Sequence, residues 1–194
     1  MDRTGACGVS NRGSIPLEGT NIMEKEQQTL IIIKPDAIAK SLTGNILTAL
    51  SEARLKIVGA KILKIDRELA KRHYHDLHIR KPHIYEITIK YLMGEFHSND
   101  RALALVYQGK NAIDKIRKIR GATNPEEAKP NTISGRYGRI NTKTGVFETV
   151  IHASDSREGA EREIKVWFEP EELVSTVFKT KRIKVKSKET TVWA

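Results

Sequence analysis

Residues 29–33 constrain the fold most, because they form an unbroken run of β-branched and aliphatic side chains. Such a run predicts a strand that is buried on both faces. Lys34, Pro35 and Asp36 follow, and the strand should end there, because proline removes a ladder donor and fixes φ. A strand covered on both faces requires helices on either side of its sheet.

The remaining hydrophobic periodicity predicts three more strands, at residues 55–65, 103–107 and 147–151. It predicts helices at 46–53, 68–77, 84–92, 113–119 and 157–168, and a short helix at 169–174. Residues 121–145 show no periodicity, which is typical of a functional or disordered loop. Since two helices separate the second strand from the third, the order favours an α+β sandwich. Its four-stranded sheet should be mostly antiparallel, with helices on its faces.

The 194 residues suffice for one domain with a sizeable core. Residues 1–22 lack the apolar centre of a signal peptide and are interpreted as a disordered leader. The domain is assigned to residues 23–174, and residues 175–194 form a basic tail. Cys7 is the only cysteine, which excludes an intrachain disulfide and favours a cytoplasmic protein. No apolar run is long enough for a membrane span.

The formal net charge of +10 predicts attraction to polyanions such as nucleotides or nucleic acid. Six of the ten residues 179–188 are basic, so the tail is a candidate nucleic-acid contact. The alternative interpretation of this run is a solvated tail without a dedicated partner.

His152 is the main candidate for a catalytic residue. It lies between the strand predicted at 147–151 and the helix predicted at 157–168. The residues after it, Ser154, Asp155 and Ser156, are the types that cap helix N-termini. A histidine at such a junction is well placed to act on an anion, because free N–H groups and the helix dipole favour negative charge there.

The sequence lacks the motifs of several other kinds of nucleotide-binding or catalytic site. The sequence holds no dinucleotide-binding G-x-G-x-x-G, no phosphate-binding G-x-x-x-x-G-K-[ST] and no G-x-S-x-G nucleophile elbow. His73, His75 and His78 suggest a metal site, but no fourth ligand follows at a useful spacing, so no protein-bound metal is predicted. Cations and hydroxyls near element ends remain, and together with His152 they describe a phosphate site: Lys34, Arg117, Thr123, Arg136 and Arg139.

Four segments carry a resemblance to a known family: TLIIIKPDAI (29–38), HYHDL (73–77), IRKIRGATNPEEAKPNTISG (116–135) and VIHASDSREGAEREIKVWFEPEEL (150–173). The chain resembles the nucleoside diphosphate kinases. The resemblance implies a ferredoxin-like α/β sandwich and a ping-pong phosphotransferase that makes nucleoside triphosphates other than ATP. His152 would take the γ-phosphoryl group from ATP and pass it to a nucleoside diphosphate.

The same resemblance implies roles for other residues. Glu163 corresponds to the carboxylate that orients the histidine ring, and Tyr74 and Ser154 correspond to its neighbours. Lys34, Arg117 and Thr123 correspond to contacts with phosphate and ribose. Mg²⁺ would arrive bridging the nucleotide phosphates, and the chain would form a homo-oligomer, either a hexamer or a tetramer.

The sequence departs from the family pattern at several positions. The family usually reads T-I-R-G where this chain has Ser134 before Gly135, so a phosphate-binding arginine is missing. If the backbone there is extended, Arg136 points the same way and replaces it. Thr149 stands where the family has asparagine, and is a candidate nucleotide contact. The base-stacking residue is either His83 or Tyr85.

Three functions remain in view after these departures. The first is an active nucleoside diphosphate kinase, and the second is a partly impaired kinase with weak nucleotide binding. The third is a nucleic-acid-binding or regulatory protein that keeps the fold. Against the third, no RRM motif occurs and only 6% of the residues are aromatic, which disfavours a stacking platform.

Overall fold

A computed structural model describes residues 26–183. Residues 1–25, which comprise the predicted leader and the first three residues of the assigned domain, and residues 184–194 of the basic tail lie outside this range. Within it, no helix has the length and apolarity that a membrane span requires. The described part contains six strands: β1 (Glu26–Ile33), β2 (Lys56–Lys64), β3 (Arg101–Lys110), β4 (Arg139–Ile140), β5 (Phe147–Glu148) and β6 (Ile151–Ala153).

Four of these strands form the central sheet, in the order β2-β3-β1-β6, and every pairing between neighbours is antiparallel. The described helices are α1 (Pro35–Ala39), α2 (Thr43–Ser51), α3 (Arg67–His73), α4 (Leu77–Arg80), α5 (Pro82–Leu92), α6 (Ala112–Arg120), α7 (Ile133–Tyr137) and α8 (Arg157–Trp167). The predicted α+β, ferredoxin-like sandwich is therefore confirmed.

Strand β1 is buried on both faces, as its apolar run predicts. Leu30 and Ile32 belong to one core cluster, together with Ile164 and Trp167 of α8. The alternate residues Ile31 and Ile33 belong to a second cluster, together with residues of α2 and α6. The alternation along β1 thus places one apolar layer on each side of the sheet.

The prediction of one strand over residues 147–151 is wrong. Phe147 and Glu148 pair with β4 in a separate two-stranded sheet, and the chain joins the central sheet only at Ile151. Between them Val150 has a φ of +58°, and the Ile151 N–H donates to the Thr149 carbonyl at 2.6 Å. This three-residue turn is rare for a β-branched side chain, and the local pattern gives no sign of it.

Residues 121–145, predicted to lack regular structure, contain a 3₁₀ turn at Pro125–Glu127, helix α7 and strand β4. Gly121 ends α6 with a φ of +88°, and a Cβ there would lie 2.3 Å from Oγ1 of Thr132. Thr132 in turn caps α7, since its hydroxyl accepts from the Gly135 N–H at 3.2 Å. The end of α6 and the start of α7 are therefore in close contact.

Candidate active site

His152 lies on β6, the edge strand next to β1, and is held by a carboxylate from α8. Its Nε2 is 2.9 Å from Oε2 of Glu163. The Ser154 hydroxyl donates to the same oxygen at 2.7 Å and accepts from the Leu30 N–H at 3.1 Å. Ser154 therefore connects the Glu163 carboxylate to strand β1 of the central sheet, and the carboxylate in turn fixes the His152 imidazole through its hydrogen bond.

Helix α8 brings Glu163 to this position because it begins at a defined cap. The Ser156 hydroxyl accepts from the Gly159 N–H at 3.0 Å, as the capping signal in the sequence predicts. Burial alone would raise the pKa of Glu163, but the charge and hydrogen bond of His152, with help from Ser154, hold it at about 2. The carboxylate is therefore ionised at neutral pH and favours an N–H on Nε2 of His152, which leaves Nδ1 as the ring nitrogen with a free lone pair.

His73 packs behind this pair, and sequence reasoning considered it only as a metal ligand. Its ring meets that of His152 edge to face at a centroid distance of 4.4 Å. Trp167 donates its indole N–H to Nδ1 of His73 at 3.2 Å. Burial and the neighbouring His152 hold the pKa of His73 well below its usual value, so the ring is neutral. His73 thus packs against His152 and restricts the orientation of its ring. His75 and His78 are exposed; His75 contacts Asp76, and His78 contacts Tyr85.

Lys34 and Tyr74 both line a large cavity. The Lys34 ammonium, almost fully buried, donates to the Thr149 hydroxyl at 2.8 Å and lies 5.1 Å above the Tyr91 ring. Burial is the main reason that the pKa of Lys34 falls to about 8. Burial also raises the pKa of Tyr74, so its phenol stays protonated and can donate a hydrogen bond.

The cavity has a volume of about 870 Å³, which is the size of a site for a small organic ligand. Its lining combines polar side chains, among them Lys34, Tyr74, Thr123 and Thr149, with apolar ones, and it also includes His83. Of the two candidates for base stacking, His83 lines the cavity, whereas Tyr85 packs against the core and the His78 ring.

The other predicted phosphate contacts gather at the C-terminal end of α6. Arg117 donates to the Asp155 carbonyl at 2.9 Å, and Thr123 lines the cavity. Sequence reasoning missed Arg120, whose Nη2 donates to the Thr123 hydroxyl at 2.5 Å. The charge of Arg120 adds to the effect of burial in lowering the pKa of Lys34, and it offsets part of the rise that burial causes in the pKa of Tyr74.

The sequence predicts that Arg136 takes over the phosphate contact of the missing arginine if the backbone there is extended. The backbone is helical, so this prediction is wrong. Both Ser134 and Arg136 lie in helix α7, where residues two apart point in nearly opposite directions. Ser134 is fully buried and its hydroxyl has no partner within the described part of the chain, while Arg136 is exposed. Arg139 is also occupied elsewhere, in an ion pair with Glu148.

Two groups of potential metal ligands have donor atoms within 4.8 Å of one another in the described range. The first consists of His73, His152 and Glu163, whose contacts are those of a hydrogen-bonded imidazole–carboxylate pair. The second consists of Asp36, His97 and Glu148, and in it Glu148 accepts hydrogen bonds from Lys40, Arg139 and Asn141.

The chain is similar to known proteins over most of its length. Residues 27–173 match the family model described as nucleoside diphosphate kinase. A nucleoside diphosphate kinase of Pyrococcus furiosus is 43% identical over 151 residues, which is 78% of this chain and 88% of that protein. The enzyme of the same name from Staphylococcus epidermidis is 39% identical over 147 residues, covering 76% of this chain and 91% of its own.

Solved structures agree with these sequence matches. A nucleoside-diphosphate kinase from Borrelia burgdorferi, in a transition-state mimic with vanadate and ADP, superposes with a TM-score of 0.69 and 34% identity. That match covers 81% of this chain and 93% of the other. A halophilic nucleoside diphosphate kinase from Halobacterium salinarum, in complex with CDP, gives a TM-score of 0.67 at 34% identity and covers 78% and 93% of the two chains.

Proposed function

The chain belongs to the nucleoside diphosphate kinase family, and we propose that it works by a ping-pong mechanism in which His152 carries the phosphoryl group. The observation that supports this most directly is the bond between Nε2 of His152 and Glu163. It leaves Nδ1 as the nucleophilic nitrogen, while the carboxylate favours the positive charge that develops on the ring.

In the first half-reaction, the Nδ1 lone pair attacks the γ-phosphorus of ATP, and the bond from phosphorus to the bridging oxygen of ADP breaks. The Nε2 proton remains in its hydrogen bond with Glu163, so the phosphorylated imidazole gains a charge that the carboxylate compensates. In the second half-reaction, a β-phosphate oxygen of a nucleoside diphosphate attacks the same phosphorus. The phosphorus–nitrogen bond then breaks and His152 returns to its starting form.

Cations near His152 supply the electrostatic part of the mechanism. Phosphoryl transfer spreads negative charge over oxygens that have little covalent help from the protein, so fixed positive charges lower its barrier. We assign this role to Lys34 and Arg117, with Tyr74 and Thr123 as hydroxyl donors. Thr149 would act through Lys34, because its hydroxyl accepts the ammonium hydrogen bond.

Mg²⁺ belongs in this proposal as part of the nucleotide substrate. The described residues that line the cavity include cations, hydroxyls and apolar groups but a single carboxylate, Glu127, and this set suits phosphate oxygens and a base better than a bare metal ion. An ion that arrives bridging two phosphates needs no protein carboxylates around it.

The test is transfer of label from γ-labelled ATP, with Mg²⁺, to the protein. We expect acid-labile, base-stable phosphate that a nucleoside diphosphate then removes. His152→Ala should abolish labelling, whereas His75→Ala, which removes an exposed histidine, should not change it. Labelling that survives in His152→Ala would overturn the mechanism.

We also propose that the chain is a cytoplasmic homo-oligomer, a hexamer or a tetramer. Strand β2 lies at an edge of the sheet and exposes Ile57 and Ile62, which is compatible with contact to a second copy. Light scattering on the purified full chain measures the mass, and a mass of a single 21.9 kDa chain would contradict assembly.

A further inference from the structure

The loop after α6 lacks the phosphate-binding arginine that the family pattern expects there. Ser134 occupies that position, and its buried hydroxyl has no partner among the described residues. Arg136 is the only arginine in residues 121–138, and it is exposed on α7. An arginine guanidinium that replaces the missing one, in addition to that of Arg117, must therefore come from another element.

Arg120 is in the right place to provide it. It is the last residue of α6, and Gly121, which follows, lies directly against Thr132 at the start of α7. Its side chain lies next to the cavity, because Nη2 donates to the hydroxyl of Thr123, which lines that cavity. Its Nε is buried and has no hydrogen-bond partner within residues 26–183.

The electrostatic surroundings of Arg120 favour an anion. Burial and then the nearby charge of Arg117 lower the pKa of the partly buried Arg120, while the charge of Asp155 acts in the opposite direction. Its charge also lowers the pKa of Lys34. Two carboxylates act on these three cations, Asp36 on Lys34 and Asp155 on Arg120, so the positive charge of Lys34, Arg117 and Arg120 is only partly balanced.

We propose that Arg120 is a phosphate-binding residue of this chain and supplies the guanidinium that Ser134 cannot. The planar guanidinium offers several N–H donors in a fixed geometry, which suits two oxygens of a di- or triphosphate. The inference rests on the proposed function for the identity of the ligand, but the binding of a nucleotide can be measured without phosphoryl transfer.

The experiment compares the binding of AMP and ADP to the full chain by calorimetry. In Arg120→Ala, we expect ADP affinity to fall about 10- to 100-fold, because a charge-assisted contact is lost, while AMP affinity changes much less. Arg120→Lys should recover part of the ADP affinity, since it keeps the charge without the planar fork. Lys118→Ala, which removes an exposed charge from the same helix, is the matched control and should bind like the unmodified chain.

Two results would overturn the proposal. One is an unchanged ADP affinity in Arg120→Ala; the other is an equal loss for AMP and ADP, which would indicate that Arg120 only holds the loop through Thr123. If Arg120→Ala does not fold, Arg120→Lys carries the same comparison. A failure of phosphoryl labelling with an intact difference between AMP and ADP would contradict the proposed mechanism but leave this binding role standing.

Discussion

Glu148 should be among the most important single residues for the stability of the cavity wall. Its side chain is only 1% exposed, and its carboxylate accepts from Lys40 at 3.1 Å, Asn141 at 2.9 Å and Arg139 at 2.5 Å. These bonds tie the β4–β5 sheet to the chain just after α1. Since Val146, Phe147 and Thr149 line the cavity on either side of Glu148, the same bonds hold one of its walls.

The size of the effect follows from the ionisation of this carboxyl. Burial alone would raise the pKa of Glu148, but the hydrogen bonds from Arg139, Asn141 and Lys40 hold it at about 2, against an ordinary value of 4.5. That difference corresponds to about 3 kcal/mol of stability when the group is ionised. Breaking a buried pair by removing one partner typically costs about 3–5 kcal/mol, which is of the same order.

Glu148→Gln keeps the shape of the side chain and removes its charge, so the free energy of unfolding at pH 7 should fall by about 2–4 kcal/mol. Urea unfolding followed by tryptophan fluorescence measures the change. Because the pKa is depressed in the folded state, this stabilisation is complete above pH 4.5 and disappears as the pH falls toward 2. The difference in unfolding free energy between the unmodified chain and Glu148→Gln should therefore shrink as the pH falls from 4.5 toward 2.

Glu161→Gln is the matched control, because Glu161 forms an exposed i,i+4 pair with Lys165. Its loss should stay within about 0.5 kcal/mol at pH 7. A loss below about 1 kcal/mol in Glu148→Gln, or one that is the same at pH 7 and pH 3, would refute the assignment of the stability to an ionised, hydrogen-bonded Glu148.

Three further predictions concern the active site. Glu163→Gln removes the charge that stabilises a phosphorylated His152, so kcat should fall about 10- to 100-fold with little change in KM, and a change confined to KM would contradict it. The pKa of Lys34 is about 8 in the folded chain, so kcat/KM should decline as the pH rises through 8, while Lys34→Arg should not show this alkaline decline. His83→Ala should raise KM for nucleotides several-fold, whereas Tyr85→Ala should reduce stability instead, and equal KM values in the two variants would refute the assignment of the stacking side chain to His83.

Long, periodic segments could be predicted from the sequence because their pattern repeats several times. Strand β1 and helices α2, α6 and α8 lie within a few residues of their predicted ranges. The pairing of His152 with Glu163 could also be predicted, because the family resemblance implies it, and the structure places Nε2 and Oε2 2.9 Å apart. In these cases the local signal and the tertiary environment agree.

The segment from residue 121 to residue 150 could not be predicted, since its elements are too short to show a period. Helix α7 has five residues, and strands β4 and β5 have two each. Their positions depend on contacts between residues that are distant in sequence, such as Gly121 against Thr132 and the bond from Lys40 to Glu148. The left-handed conformation of Val150 is likewise imposed by the packing around it, because an isolated valine disfavours it.

Arg120 could not be identified from the sequence, because its assignment depends on the bond to Thr123 that only the structure shows. If Arg120 replaces the arginine missing at Ser134, a final prediction follows. Arg117 and Arg120 already place two guanidinium groups near Lys34, and a third at position 134 would add repulsion to this cluster of cations. Ser134→Arg alone should therefore leave ADP affinity unchanged or lower it. In the Arg120→Ala background the same substitution should raise ADP affinity, because the contact between Gly121 and Thr132 keeps the two positions near each other. Calorimetry on the four proteins gives the coupling between the two sites, and an equal gain from Ser134→Arg in both backgrounds would show that the two positions do not share one phosphate-binding role.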